Sequence, residues 1–158
     1  MPVKNGDKAP DFTLVNSADM QPVKLSDYKG KNVVLAFFPA TFSGACDTEM
    51  CTFRDSLTEF NNLNAQVLGI SADLPHAQKE FSAKHGLNFP ILSDMHLKAI
   101  KDYGIEWPDF AKVAGYNVAR RSVFVLDKNG KVTYSWLTEA QGNQPPIDDV
   151  KKAVQALK

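Results

Sequence analysis

Apolar positions along this chain fall into two kinds of segment: short runs with continuous or alternating apolar character, and stretches where apolar side chains recur every three or four residues. Phe12 to Val15 and Met20 to Val23, on either side of Asn16-Ser-Ala-Asp19, predict a small N-terminal hairpin. Asn32 to Phe38 is apolar after its first residue, as expected of a strand covered on both faces, and is the expected central strand. Gln66 to Ser71 predicts a second buried strand. Met50, Phe53, Leu57, Phe60 and Leu63 are three or four apart, so Cys46 to Leu63 reads as one amphipathic helix. Pro75 to His85 reads as another, with proline at its start and Gly86 just past its end. Phe89 to Leu92 is expected to be a short edge strand, because Pro90 has no N–H to give to a ladder. A short helix over His96 to Tyr103 closes at Gly104. Ser122 to Leu126 and Lys131 to Trp136 form a hairpin across Asn129-Gly130, and Pro146 to Leu157 is a closing helix.

Strand, helix, strand, helix, hairpin and final helix describe an α/β fold with a mixed central sheet flanked by helices and an N-terminal hairpin extension, the order expected of a thioredoxin-like domain. A chain of 158 residues, 44% hydrophobic and 23% charged, suits a single domain over 1–158 with its own core. Eighteen basic and eighteen acidic residues balance, and no basic cluster interleaves with aromatics, which argues against a nucleic-acid partner. The longest apolar run, Val33 to Pro39, is far too short to span a membrane. The opening MPVKNGDKAPDF lacks the apolar stretch of a signal peptide, so a cytoplasmic protein is expected. In a reducing compartment two cysteines are not a disulfide framework; a pair there is catalytic, redox-sensing or metal-binding.

Both cysteines lie in one window, FFPATFSGACDTEMC, Phe37 to Cys51. Cys46 falls at the first strand-to-helix junction, and open α/β sheets place their reactive crevice at the carboxyl ends of strands. Unpaired N–H groups and the dipole at a helix start stabilise a thiolate, so the Cys46 pKa is expected to be lowered and its thiol reactive. Cys51 is either a resolving partner or an inert residue on the helix's buried face. Residues five apart in an unbroken helix are turned by about 140° and have Cα atoms about 8–9 Å apart. A disulfide spans roughly 4.4–6.8 Å, so a Cys46–Cys51 bond requires the first turns to unwind. Metal binding finds no support, since His76, His85 and His96 lie nine and eleven residues apart with no clustered cysteine. They read as surface or packing residues.

A thiolate that attacks a small oxidant needs a hydroxyl to orient the substrate oxygen and a cation to hold developing charge. Ser43, three residues before Cys46, supplies the hydroxyl or simply caps the helix. Pro39 ends the strand and removes a backbone donor beside the site. Arg120 and Arg121 enter the Ser122 strand; one is the candidate cation and the other a solvated charge. Glu49, one turn beyond Cys46, either braces the site by hydrogen bonding or, the preferred reading, is a solvated helix carboxylate.

The stretch Pro39-Ala-Thr-Phe-Ser43-Gly-Ala-Cys46 resembles the Pro-x-x-x-Thr/Ser-x-x-Cys signature of the peroxiredoxin family, thiol peroxidases on a thioredoxin-like fold. GDKAPDFTL is similar to that family's N-terminal opening and RSVFVLDKNGKV to its later strand and hairpin, so the likeness runs from about Gly6 to the C-terminal helix. It implies that Cys46 is the peroxidatic cysteine, that Pro39, Ser43 and Arg121 build its pocket, and that no cofactor is needed. The Cys46-x-x-x-x-Cys51 spacing is similar to that of the bacterioferritin comigratory (Q-type) branch, in which the second cysteine resolves the sulfenic acid intramolecularly and a thioredoxin- or glutaredoxin-like donor reduces the pair. FFPATFSGAC is also similar to a one-cysteine branch, in which Cys51 would be structural. A disulfide oxidoreductase is the alternative outside the family, although its usual Cys-x-x-Cys is absent. Relatives occur as monomers and as dimers that use a face beside the site. Phe42, Trp107 and Phe110 are candidates for such a face or for core.

Overall fold

A computed structural model describes residues 1–140 and 142–157. Strands β1 (Thr13–Asn16) and β2 (Pro22–Lys24) form the N-terminal hairpin, and β3 (Asn32–Phe37) leads into α1 (Gly44–Asp55) and α2 (Leu57–Asn62). β4 (Ala65–Ser71), α3 (Pro75–His85), β5 (Ile91–Ser93) and α4 (Lys98–Asp102) follow. A two-stranded ribbon, β6 (Glu106–Trp107) with β7 (Val118–Ala119), precedes β8 (Ser122–Leu126), β9 (Val132–Leu137) and α5 (Ile147–Gln155). The main sheet is mixed, in the order β2-β1-β5-β4-β3-β8-β9, with β3, β4 and β5 parallel and their other neighbours antiparallel. This is the expected α/β architecture.

Strands β3, β4, β5 and β8 each feed two cores. From β3 onward, Val33, Leu35 and Phe37 enter a cluster with Leu68, Ile70, Ile100, Tyr103 and Phe124, while Val34, Ala36 and Phe38 enter one with Met50, Phe53, Phe60, Phe81 and Val150. Both sides are buried, which is why the strand reads as continuously apolar. No helix among the described residues is long and apolar enough to cross a membrane.

Three expectations change. The middle position is held by β4, with β3 beside it. β5 is internal rather than an edge: Pro90 sits just before the strand and still uses its carbonyl, which accepts from Gly69 N–H, while β1 pairs with the strand's free side. The helix expected over Cys46 to Leu63 breaks at Ser56, whose N–H bonds back to Thr52 and Phe53 carbonyls and which then begins α2. The apolar spacing continues across the break because Leu57 and Phe60 face the same cluster as Met50 and Phe53. Phe110 is buried against Ala40 and Val118 with Trp107 packed alongside, whereas Phe42 is 48% exposed.

Candidate active site

α1 begins after a short loop that leaves the carboxyl end of β3, and Cys46 lies in its first turn. Its side chain is fully buried. β8 runs antiparallel to β3 with Ser122 opposite Phe37, so the residue just before β8 lands where the cysteine loop departs. That residue is Arg121. Its Nη2 donates to Cys46 Sγ at 3.1 Å and its Nη1 to Glu49 Oε1 at 2.5 Å. Cys46 and Glu49 are three apart on one helix face, so a single planar guanidinium spans both. Arg120 turns away: its Nη2 donates to the Thr138 carbonyl, and it is half-buried rather than solvated.

Ser43 has the extended backbone of an N-cap, but its hydroxyl does not cap α1. It donates to the Ala40 carbonyl at 3.0 Å, while its own carbonyl accepts from Cys46 N–H at 2.7 Å. Pro39 is buried and lines a small open cleft with Ala72, Asp73, Tyr116 and Val118. Cys51 is half-buried in the middle of α1, and both thiols are free. Because α1 is unbroken between them, the separation general to helical residues five apart, about 8–9 Å between Cα atoms, holds here.

The electrostatics correct two expectations. Burial raises the Cys46 thiol; Arg121, the Ser43 hydroxyl and a backbone hydrogen bond of Ala40 pull it down, in that order, without fully offsetting burial. The helix start alone therefore does not set this thiol. Glu49 is 1% exposed rather than solvated. Burial pushes its carboxyl up to about 8 against the lowering effect of Arg121, and its Oε2 has no hydrogen-bond partner among the described residues. The exposed-face reading failed because position i+3 from Cys46 faces the sheet, together with Met50 and Phe53.

Sequence reasoning missed Asp73 and Tyr116. Asp73 Oδ2 accepts from Thr41 N–H at 2.8 Å and from Ser71 Oγ at 2.8 Å, bracing the loop ahead of Cys46. Its signal was its place two residues past the end of a buried parallel strand, where sites gather. Tyr116 is 39% exposed, and its hydroxyl pKa is raised by burial, Asp73 and Cys46. No local pattern announced it.

A buried thiol held by a buried arginine, on a thioredoxin-like fold and without a second cysteine three residues on, defines a thiol-dependent peroxidase. The chain belongs to the AhpC/TSA family, whose sequence profile matches residues 5–135. It is 38% identical over 156 residues to chloroplastic peroxiredoxin Q of Sedum lineare, covering 99% of this chain and 80% of that protein. It is 37% identical over 161 residues to peroxiredoxin Bcp of Bacillus subtilis, covering 100% of this chain and 97% of that one. The crystal structure of peroxidoxin BcpB from Mycobacterium tuberculosis superimposes with a TM-score of 0.87 at 28% identity, covering 99% of each chain. A PrxQ variant from Xylella fastidiosa does so with 0.86 at 25% identity, covering 99% of this chain and 98% of that one.

Proposed function

We propose that the chain reduces hydrogen peroxide and organic hydroperoxides through Cys46 and resolves the product with Cys51. The observation that carries this reading is the 3.1 Å hydrogen bond from buried Arg121 to Cys46 Sγ. The Cys46 thiolate attacks the nearer peroxide oxygen; an S–O bond forms, the O–O bond breaks, and the leaving oxygen takes a proton to depart as water or alcohol. Arg121 offers donors to the thiolate and to the oxygens on which charge develops, and the Ser43 hydroxyl and Pro39 shape the space beside it. Glu49 holds the guanidinium in place from the opposite side.

The Cys51 thiolate then attacks the sulfenic sulfur; the S–S bond forms and the hydroxyl leaves as water. A thioredoxin- or glutaredoxin-like dithiol returns both thiols, which suits a cytoplasmic setting. Cys51 is half-buried on the helix that carries Cys46, which supports the intramolecular reading over a structural one.

The test is intact mass and free-thiol count after one equivalent of hydrogen peroxide. Loss of two hydrogens and both thiols is expected. One added oxygen with Cys51 still free would return Cys51 to a structural role, and no rapid change would end the peroxidase mechanism at Cys46.

A further inference from the structure

Asp47, Cys51 and Arg54 stand at i, i+4 and i+7 on α1, within about 60° of one another, so they form one stripe along the helix. Both ends of that stripe meet one residue, His85, the last of α3. Its Nε2 lies 3.3 Å from Asp47 Oδ2, and its backbone carbonyl accepts a hydrogen bond from Arg54 Nη1 at 2.5 Å. The imidazole is 17% exposed and the Asp47 side chain 25%. Although the distance is that of an ion pair, neither His85 Nε2 nor Asp47 Oδ1 has a hydrogen-bond partner among the described residues.

The loop that leads into α1 docks on the same turn of α3. The Phe42 ring sits edge-on to Phe81 at 5.4 Å, and Lys84 Nζ lies 5.5 Å from its centroid. Phe42 is held at φ +63°, a left-handed conformation that its β-carbon disfavours. A Cys46–Cys51 bond cannot form within the helix, so the first turn of α1 has to leave α3. That motion separates Asp47 from His85.

We propose that His85 is a positioning residue for resolution: its contact with Asp47 holds the first turn of α1 on α3 during peroxide reduction, and the latch tightens when the imidazole takes up a proton. The inference rests on Cys51 being the resolving thiol. Histidine is the side chain whose charge ordinarily changes between pH 5 and 8. The charged groups that face this one are Asp47 and Arg54 from α1, with Lys84 beside it on α3. Asp47 is the one carboxylate among them, so a proton on Nε2 turns a contact without a hydrogen bond into an ion pair. Besides the Arg121 hydrogen bond to Cys46 Sγ, whose thiolate is consumed when Cys46 is oxidised, the first turn is held by Gln144 Nε2, which donates to the Ala45 carbonyl at 2.8 Å and contains nothing that titrates.

The experiment follows Cys46–Cys51 disulfide formation by rapid acid quench, thiol alkylation and mass spectrometry after one equivalent of hydrogen peroxide. It is run across the histidine range on wild type, His85→Gln and Asp47→Asn, with Cys46 oxidation recorded in the same samples. The ratio of variant to wild-type resolution rate is expected to be near unity at the alkaline end. It should rise about three- to fivefold at the acid end, the span of a partly exposed ion pair, with Cys46 oxidation unchanged. Profiles that superimpose overturn the latch and leave the two-cysteine reading intact. A wild type that forms no Cys46–Cys51 disulfide at any pH overturns both.

Discussion

Replacing Arg121 removes the cation that touches Cys46 and tests the site's electrostatics directly. Unit charges 3.1 Å apart interact by about 5 kcal/mol at an effective dielectric near 20. Only the part that grows as charge develops on the leaving oxygen affects the rate, and losing one preorganised donor of that kind costs about 10²–10³. Arg121→Met removes the donor to the leaving oxygen and also the main influence holding the thiol down, so a loss of about 10³ in the second-order rate of Cys46 oxidation is expected. The substitution also strands Glu49 as a buried carboxyl without its hydrogen-bond partner, a penalty of about 1–3 kcal/mol for a buried polar group left unpaired. The double variant Arg121→Met/Glu49→Gln therefore has to accompany it. Stopped-flow oxidation by hydrogen peroxide gives the rate, thermal unfolding confirms that the protein is folded, and thiolate absorbance follows the Cys46 titration, which should move further up. A folded double variant that oxidises within about threefold of wild type, or whose thiol titrates where the wild type's does, would refute the assignment.

Glu49 makes stability depend on pH. Between its ordinary 4.5 and the folded value of about 8 the unfolded chain has released a proton that the folded chain keeps. Its stabilising contribution is complete below pH 4.5 and lost as pH rises through 8, with a ceiling of about 5 kcal/mol. Urea unfolding should show this fall in wild type and not in Glu49→Gln; parallel curves for the two would count against it. Cys51→Ser should keep peroxide turnover with a small dithiol but lose it with thioredoxin as donor, and undiminished thioredoxin-linked activity would remove Cys51 from the mechanism. A β-carbon at Gly69 would sit 2.6 Å from Ile91 Cδ1 and 3.3 Å from Met50 Sδ, so Gly69→Ala should cost about 1–3 kcal/mol by overpacking, measured as a shift in the urea midpoint.

The reach of sequence reasoning follows from what each residue's neighbours are. β3, β4 and the β8–β9 hairpin were legible because their burial is written in consecutive apolar residues and in Asn129-Gly130. Local signals also put Cys46 at a strand-to-helix junction and Ser43 just ahead of it. Glu49 was misread because a carboxylate in a helix normally faces water, and its partner is 72 positions away. β5 was misplaced for a similar reason: whether a short strand is an edge depends on what pairs with it, here β1 from the far N-terminus. The break at Ser56 left no trace, since both helices bury side chains in one cluster at a spacing one helix would also give. His85, with a carboxylate 38 positions earlier in the chain, could be read only as a surface or packing residue, and of the two it packs, edge-on against Phe81.

The distribution of contacts along α1 explains how one helix would serve both halves of the proposed two-cysteine cycle. Reduction of peroxide needs Cys46 buried beside Arg121, while disulfide formation needs the same turn released. The later part of α1 is anchored by Met50 and Phe53, which are 0% and 1% exposed and stabilise by about 1.5–3 kcal/mol each. Apart from Cys46 itself, the first turn is tied down by Gln144 to the Ala45 carbonyl, Asp47 beside His85, and half-exposed Phe42. Polar ties that open to water are worth about 1 kcal/mol or less apiece. Unwinding that starts at Gly44 therefore meets its weakest resistance first and its strongest at Met50. In the proposed cycle, conversion of Cys46 to a sulfenic acid enlarges a fully buried side chain, so the oxidation that calls for release also strains the most deeply buried contact of that turn.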